Sequence, residues 1–90
     1  MYIINQDKDE IFALADKDLF GGRVYVEPRH YKGQLMGWNV MGKRFFKKTL
    51  LGTYDTDCDA RQVVVEIYKL LQNNAESYTM PEPALDVEDW

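Results

Sequence analysis

Residues 50–74 read Leu-Leu-Gly-Thr-Tyr-Asp-Thr-Asp-Cys-Asp-Ala-Arg-Gln-Val-Val-Val-Glu-Ile-Tyr-Lys-Leu-Leu-Gln-Asn-Asn. The stretch opens as the end of a strand and turns at Asp55. It continues as one amphipathic helix. Thr56 suits an N-cap, because its hydroxyl can accept from the free N–H groups of the first turn. Asp59 follows three residues later in a weak capping box. Asp57 and Asp59 sit where the helix dipole favours negative charge. Apolar residues recur at Ala60, Val63, Val64, Ile67, Leu70 and Leu71, the spacing of a one-sided helix. Val65 and Tyr68 widen that stripe. Asn73 and Asn74 are left-handed terminators, which predicts a helix over residues 56–73.

Upstream, residues 2–5 and 10–15 read as two strands of a hairpin around a polar turn. Gly21-Gly22 closes a connection over residues 17–22. Residues 23–27 alternate, with Val24 and Val26 on one face and Tyr25 on the other, and Pro28 is expected to stop this strand. A fourth strand covers residues 35–41, Gly42-Lys43-Arg44 turns the chain, and a fifth covers 45–54. Gly52 marks a bulge or close contact within it. In the fifth strand Phe46, Lys48 and Leu50 share one face, and Phe45, Lys47, Thr49 and Leu51 the other.

Downstream, residues 77–90 contain Pro81 and Pro83, which forbid regular structure in the middle of a tail. The elements predict an α+β domain over residues 1–76. It is an antiparallel meander of four or five strands, then one C-terminal helix packed on the sheet, then an irregular acidic tail over 77–90. A curled sheet of this order also fits a pleckstrin-homology-like partial barrel.

Ninety residues suffice for one domain with a narrow stability margin. Apolar residues at 46% argue for a globular chain, and charged residues at 29% keep it in water. No apolar run approaches the ~20 residues that span a membrane. The first residues lack the basic-then-apolar order of a signal peptide. One cysteine permits no internal disulfide framework. A cytoplasmic protein is expected.

The net charge of −4 is unevenly spread. Residues 28–54 hold Arg29, Lys32, Lys43, Arg44, Lys47 and Lys48, one histidine and no acid. Residues 75–90 hold five acids and no base. Such a dipolar chain attracts a charged partner, itself or a second copy.

Trp38-Asn39-Val40, Leu51-Gly52-Thr53-Tyr54-Asp55-Thr56, Ala60, Val63-Val64, Glu66-Ile67 and Tyr78-Thr79-Met80-Pro81 follow one another in a recognisable order. The pattern resembles small uncharacterised proteins of Gram-positive bacteria and their phages. These share a few strands, a Leu-Gly-x-Tyr-x-Thr/Ser turn, a single helix and a Met-Pro tail. The resemblance spans residues 38–81 and rests on structural motifs. It implies a phage or mobile-element setting and carries over no functional residue.

Catalytic chemistry finds little support. His30 and Cys58 lie in different elements with no ligand pair near either, which argues against a metal site. Cys58 sits at the helix start, where the dipole lowers a thiol pKa, but Asp57 and Asp59 oppose that and no base is placed beside it. The acids occupy polar turns, the helix start and the tail. Gly21-Gly22 lacks the spacing of a phosphate loop. No cofactor is expected.

The binding candidates are Arg29, Lys32, Lys43, Arg44, Phe45, Lys47 and Lys48. Bases interleaved with aromatics can neutralise phosphates and stack nucleobases. The competing reading is a solvated set of lysines protecting a strand edge. The expectation is a non-enzymatic binding protein that occupies a partner, with anti-defence or host takeover as its setting. The alternatives are a nucleic-acid-binding accessory protein using residues 28–54, and a small-molecule sponge at a subunit interface. More apolar sheet residues than one helix can cover point to a homodimer, in which the acidic tail of one copy meets the basic segment of the other.

Overall fold

A computed structural model describes residues 1–14, 22–44 and 46–82. The elements run β1 (Tyr2–Ile4), β2 (Ile11–Ala13), β3 (Arg23–Tyr31), β4 (Gln34–Arg44), β5 (Lys47–Tyr54), α1 (Asp57–Gln72) and β6 (Ser77–Thr79). The fold is α+β, with a strand meander and a single helix, and no closed barrel forms among the described residues. Residues 15–21, which hold the end of the expected second strand and most of the expected connection over 17–22, lie outside the described residues, as do Phe45 and the chain from residue 83.

α1 starts and stops where its capping chemistry dictates. Thr56 is extended (φ −123°, ψ 152°) and its hydroxyl accepts the Asp59 N–H at 3.1 Å. At the other end the Asn74 and Ala75 N–H groups donate to the carbonyls of Leu71 and Leu70. This Schellman pattern needs a left-handed residue, and Asn74 supplies it at φ 61°. Asn73 keeps φ −92°, so one asparagine does the work expected of two. Ala60, Val63, Ile67 and Leu71 are buried, while Val65 is 56% exposed and does not widen the stripe. Tyr68 does widen it, packing on the core and accepting the Val24 N–H at 3.0 Å.

The helix covers one face of a β3-β4-β5 meander. Val24, Val26, Trp38, Val40, Leu51 and Tyr54 point into that interface. Pro28 does not end β3, because β3 is an edge strand and a missing N–H costs nothing on its free side. The β3–β4 turn is Lys32-Gly33, both left-handed at φ 52° and 79°, which is the type I′ hairpin geometry. Residues 42–44 continue β4 rather than turning. Gly42 serves packing instead, since a Cβ there would lie 2.9 Å from the Phe12 ring. Leu51 is the extra residue of a bulge between Leu50, opposite Met41, and Gly52, opposite Val40. Gly52 is packed against Gln6, Met80 and Tyr54, as a close-contact glycine.

β1 and β2 form a hairpin in a second sheet ordered β2-β1-β6. Asn5 shapes its turn by accepting the Asp9 and Glu10 N–H groups on its side-chain oxygen. β6 pairs parallel to β1, with Ile3 opposite Tyr78. Ser77–Thr79 therefore belong to the fold, where an irregular tail was expected, and Met80 beyond them is 2% exposed. Three residues are too few to show a period, so only burial reveals this strand.

The two sheets are tied together by Gln6. Its side-chain amide accepts from the Thr53 N–H at 2.9 Å and donates to the Thr53 carbonyl, while its own N–H donates to the Leu51 carbonyl. A side chain thus mimics a strand partner at the β5 edge.

Gly37 has φ 146°, and a Cβ there would lie 2.9 Å from the Tyr54 carbonyl oxygen. Backbone strain and this contact set the same direction. Gly37→Ala is expected to destabilise by about 2 kcal/mol. Thermal unfolding should then show a midpoint lowered by roughly 10 °C.

Candidate functional site

The face of β3-β4-β5 away from α1 carries no covering element among the described residues. Strand alternation places every second residue of each strand there. Register then stacks these side chains into rows across the sheet. Arg23, Lys43 and Lys48 form one row, since Arg23 is opposite Lys43 and Lys43 is opposite Lys48. Tyr25, Met41 and Leu50 form the next. Glu27, Asn39 and Thr53 form the third, and Arg29 lies opposite Gly37 beyond it. Past Trp38, opposite the last residue of β5, the β3–β4 hairpin continues as a two-stranded arm ending at Lys32-Gly33.

Each row has distinct chemistry. Directly opposed residues on one face have Cβ atoms about 5 Å apart, and like charges so placed are destabilising. The Arg23–Lys43–Lys48 row sets three basic residues side by side in register, with the Lys48 charge drawn off along the sheet. Arg23 lies over the Tyr25 ring at 4.9 Å. Lys48 reaches diagonally to Glu27 at 3.2 Å. That carboxylate raises the Lys48 ammonium above its ordinary value, and the neighbouring Tyr25 adds to the shift. Lys43, between them, has no hydrogen bond or ion pair among the described residues. Met41 is buried apart from the main core, Tyr25 is half-buried and Leu50 is 48% exposed, so the middle row is an apolar strip. Thr53 donates to the Asn39 side-chain oxygen at 3.2 Å in the polar row.

The expected binding residues divide among three places. Lys43 and Lys48 join the cation row. Arg29 and Lys32 stand on the exposed arm, where Lys32 lies 5.4 Å from the Tyr31 ring centroid. Arg44 and Lys47 face the other way, lining a cleft of about 540 Å³ with Glu10, Ile11, Phe12 and Phe46. Arg44 there donates to the Ala13 carbonyl at 3.3 Å. Phe46 stands in the β4–β5 turn, 99% exposed. Sequence reading missed Arg23 and Tyr25. Their signal was present, because alternate residues of β3 spell Arg23, Tyr25, Glu27, Arg29 and Tyr31.

The sheet and the rest of the molecule carry opposite charge. Residues 23–54 hold seven bases and one acid, and the other described residues hold three bases and nine acids. The acidic side includes a small cleft lined by Tyr54, Asp59, Glu66 and Glu82. Tyr78 donates its hydroxyl to Glu66 there, and Tyr54 donates to the Pro81 carbonyl at 2.7 Å. Burial, followed by the hydrogen bond to Glu66 and that carboxylate's charge, pushes the Tyr78 phenol up. Burial also pushes Tyr54 up to about 12, with the Gln6 amide opposing and the Glu66 charge assisting. A phenol whose pKa is raised on folding stabilises the fold fully below its unfolded value, near 10, and that contribution is lost as pH rises through 12. The unfolding midpoint is expected to fall between pH 10 and 12. Tyr54→Phe should make that fall shallower in a pH series of thermal melts.

Cys58 is exposed, and no group of three or more His, Cys, Asp or Glu residues that could hold a metal ion occurs among the described residues. No described helix is long and apolar enough to cross a membrane. No protein-family model, curated protein or solved structure matches this chain.

Proposed function

We propose that the chain is a non-enzymatic binding protein that engages an anionic partner through the open face of β3-β4-β5. The observation that carries this reading is the Arg23–Lys43–Lys48 row. Glu27 meets the Lys48 charge, but Arg23 and Lys43 lie opposite each other with no carboxylate partner among the described residues, and like charges so placed oppose folding unless an anion is bound. A local positive field persists despite the negative net charge, because Glu27 is the one acid of β3, β4 and β5. The resemblance to small phage-type proteins adds a setting in which such a protein acts by occupying a host component.

Retention on immobilised heparin tests this reading. The wild type should be retained and elute with salt. Replacing Arg23, Lys43 and Lys48 with Ser should move elution to much lower salt. Replacing Lys8, Arg61 and Lys69 with Ser changes net charge equally on the acidic side and should leave elution near the wild type. Equal shifts for both triple variants, or no retention of the wild type, would sink the proposal.

A further inference from the structure

We infer that the anion is a short single strand of nucleic acid lying along β3 on the open sheet face, an assignment that rests on the binding reading above. The rows repeat every two residues, about 6.6 Å along the strand. Successive rows carry cations, apolar groups and polar groups, and the cations at Arg23 and Arg29 lie about 20 Å apart, a span of about three nucleotides. The Arg23–Lys43–Lys48 row meets a phosphate. In the row beside it, half-buried Tyr25 and Leu50, 48% exposed, offer an aromatic and an apolar surface for a base on either side of buried Met41. The Glu27–Asn39–Thr53 row offers hydrogen-bonding groups at the height of a base edge. Arg29 then supplies a second cation, and Tyr31, 61% exposed, a second ring.

Cation and ring are paired at both ends of the path. Arg23 lies 4.9 Å from the Tyr25 centroid, and Lys32 lies 5.4 Å from the Tyr31 centroid. The two tyrosines are six residues apart on one strand, about 20 Å. Aromatics beside a cationic track are the general means of holding single strands, because every base has a stacking face. An acidic peptide would match the cations and leave the rings without a flat partner.

Fluorescence anisotropy with labelled dT12, rU12, a 12-base-pair duplex and a 12-residue poly-Glu peptide tests the assignment. The wild type should bind dT12 or rU12 more tightly than the duplex or poly-Glu. Its affinity should fall with salt at a log–log slope of about −1.4, as two neutralised phosphates on a single strand require, one at the cation row and one at Arg29. Arg23→Ser combined with Lys43→Ser should weaken oligonucleotide binding at least ~10-fold, within the range of phosphate-neutralising contacts. Tyr25→Leu keeps an apolar side chain but removes the ring. It should weaken dT12 at least ~5-fold, the low end for loss of one base–aromatic stack, and leave poly-Glu unchanged. Thermal melts of each variant establish folding, and Leu50→Ser at an exposed position replaces Tyr25→Leu if that variant melts early.

Tighter binding of poly-Glu or of the duplex would overturn the single-strand assignment and leave the anion-binding reading standing. So would a Tyr25→Leu variant, or its Leu50→Ser replacement, that binds dT12 as well as the wild type. Failure of every polyanion to bind would overturn both.

Discussion

Ile67→Asp is expected to leave the chain unfolded at 25 °C. Ile67 is 0% exposed at the centre of the α1 face, packed into the cluster that includes Val24, Val40 and Leu51. Removing the isoleucine forfeits about 2–3 kcal/mol of apolar burial. An unpaired carboxylate in its place costs several kcal/mol more. A 90-residue domain has about 5–13 kcal/mol in total, so the fold has little or nothing left. Val65→Asp supplies the comparison, because Val65 lies on the same helix and is 56% exposed. Its stability should stay within about 0.5 kcal/mol of the wild type. Circular dichroism of the pair decides whether the buried face of α1 is assigned correctly. A cooperative melt of Ile67→Asp near the wild-type midpoint would show that it is not.

Ending the chain after Glu76 is expected to abolish cooperative unfolding. The cut removes β6, the backbone bond from Met80 to Ile4, and the Met80 side chain, which is 2% exposed. It also removes the Pro81 carbonyl that accepts from both Gln6 and Tyr54. β1 would then be an edge strand with its central hydrophobe, Ile3, open on one side. The milder Met80→Ala change should cost about 3 kcal/mol, as other deletions of buried methionine or leucine side chains do. Chemical denaturation measures both. A shortened chain with the wild-type midpoint would make residues 77–82 dispensable and contradict the description of β6 as part of the core.

Legibility in the sequence followed the length of each element. α1 could be read almost to the residue, because its sixteen residues repeat a period and both ends carry their own capping groups. β3, β4 and β5 were found, but with boundaries displaced where one residue type has two uses. Pro28 reads as a stop and is tolerated on an edge strand. Gly42 reads as a turn and in fact makes room for Phe12. β6 left no trace, since three residues beside two prolines have no period. The site was legible only in part for a related reason. An acid-free segment is visible as composition, and the structure sets two of its lysines, Lys43 and Lys48, opposite each other. Alternation already set Lys47 and Lys48 on opposite faces, but placing Arg44 with Lys47 and Lys43 with Lys48 needs the β4–β5 register, because residues 42–44 read as a turn. Arg23 and Tyr25 were passed over because they lie outside that segment and join it only across the β3–β4 pairing.

Backbone amide chemical-shift mapping of the labelled protein during titration with dT12 tests the central claim most directly. The largest shifts are expected at Arg23, Tyr25, Met41, Lys43, Lys48 and Leu50, with smaller ones at Arg29 and Tyr31 and none on the solvent side of α1. Shifts confined to the Ile11–Phe46 cleft or to α1, or no shifts at any residue, would contradict it.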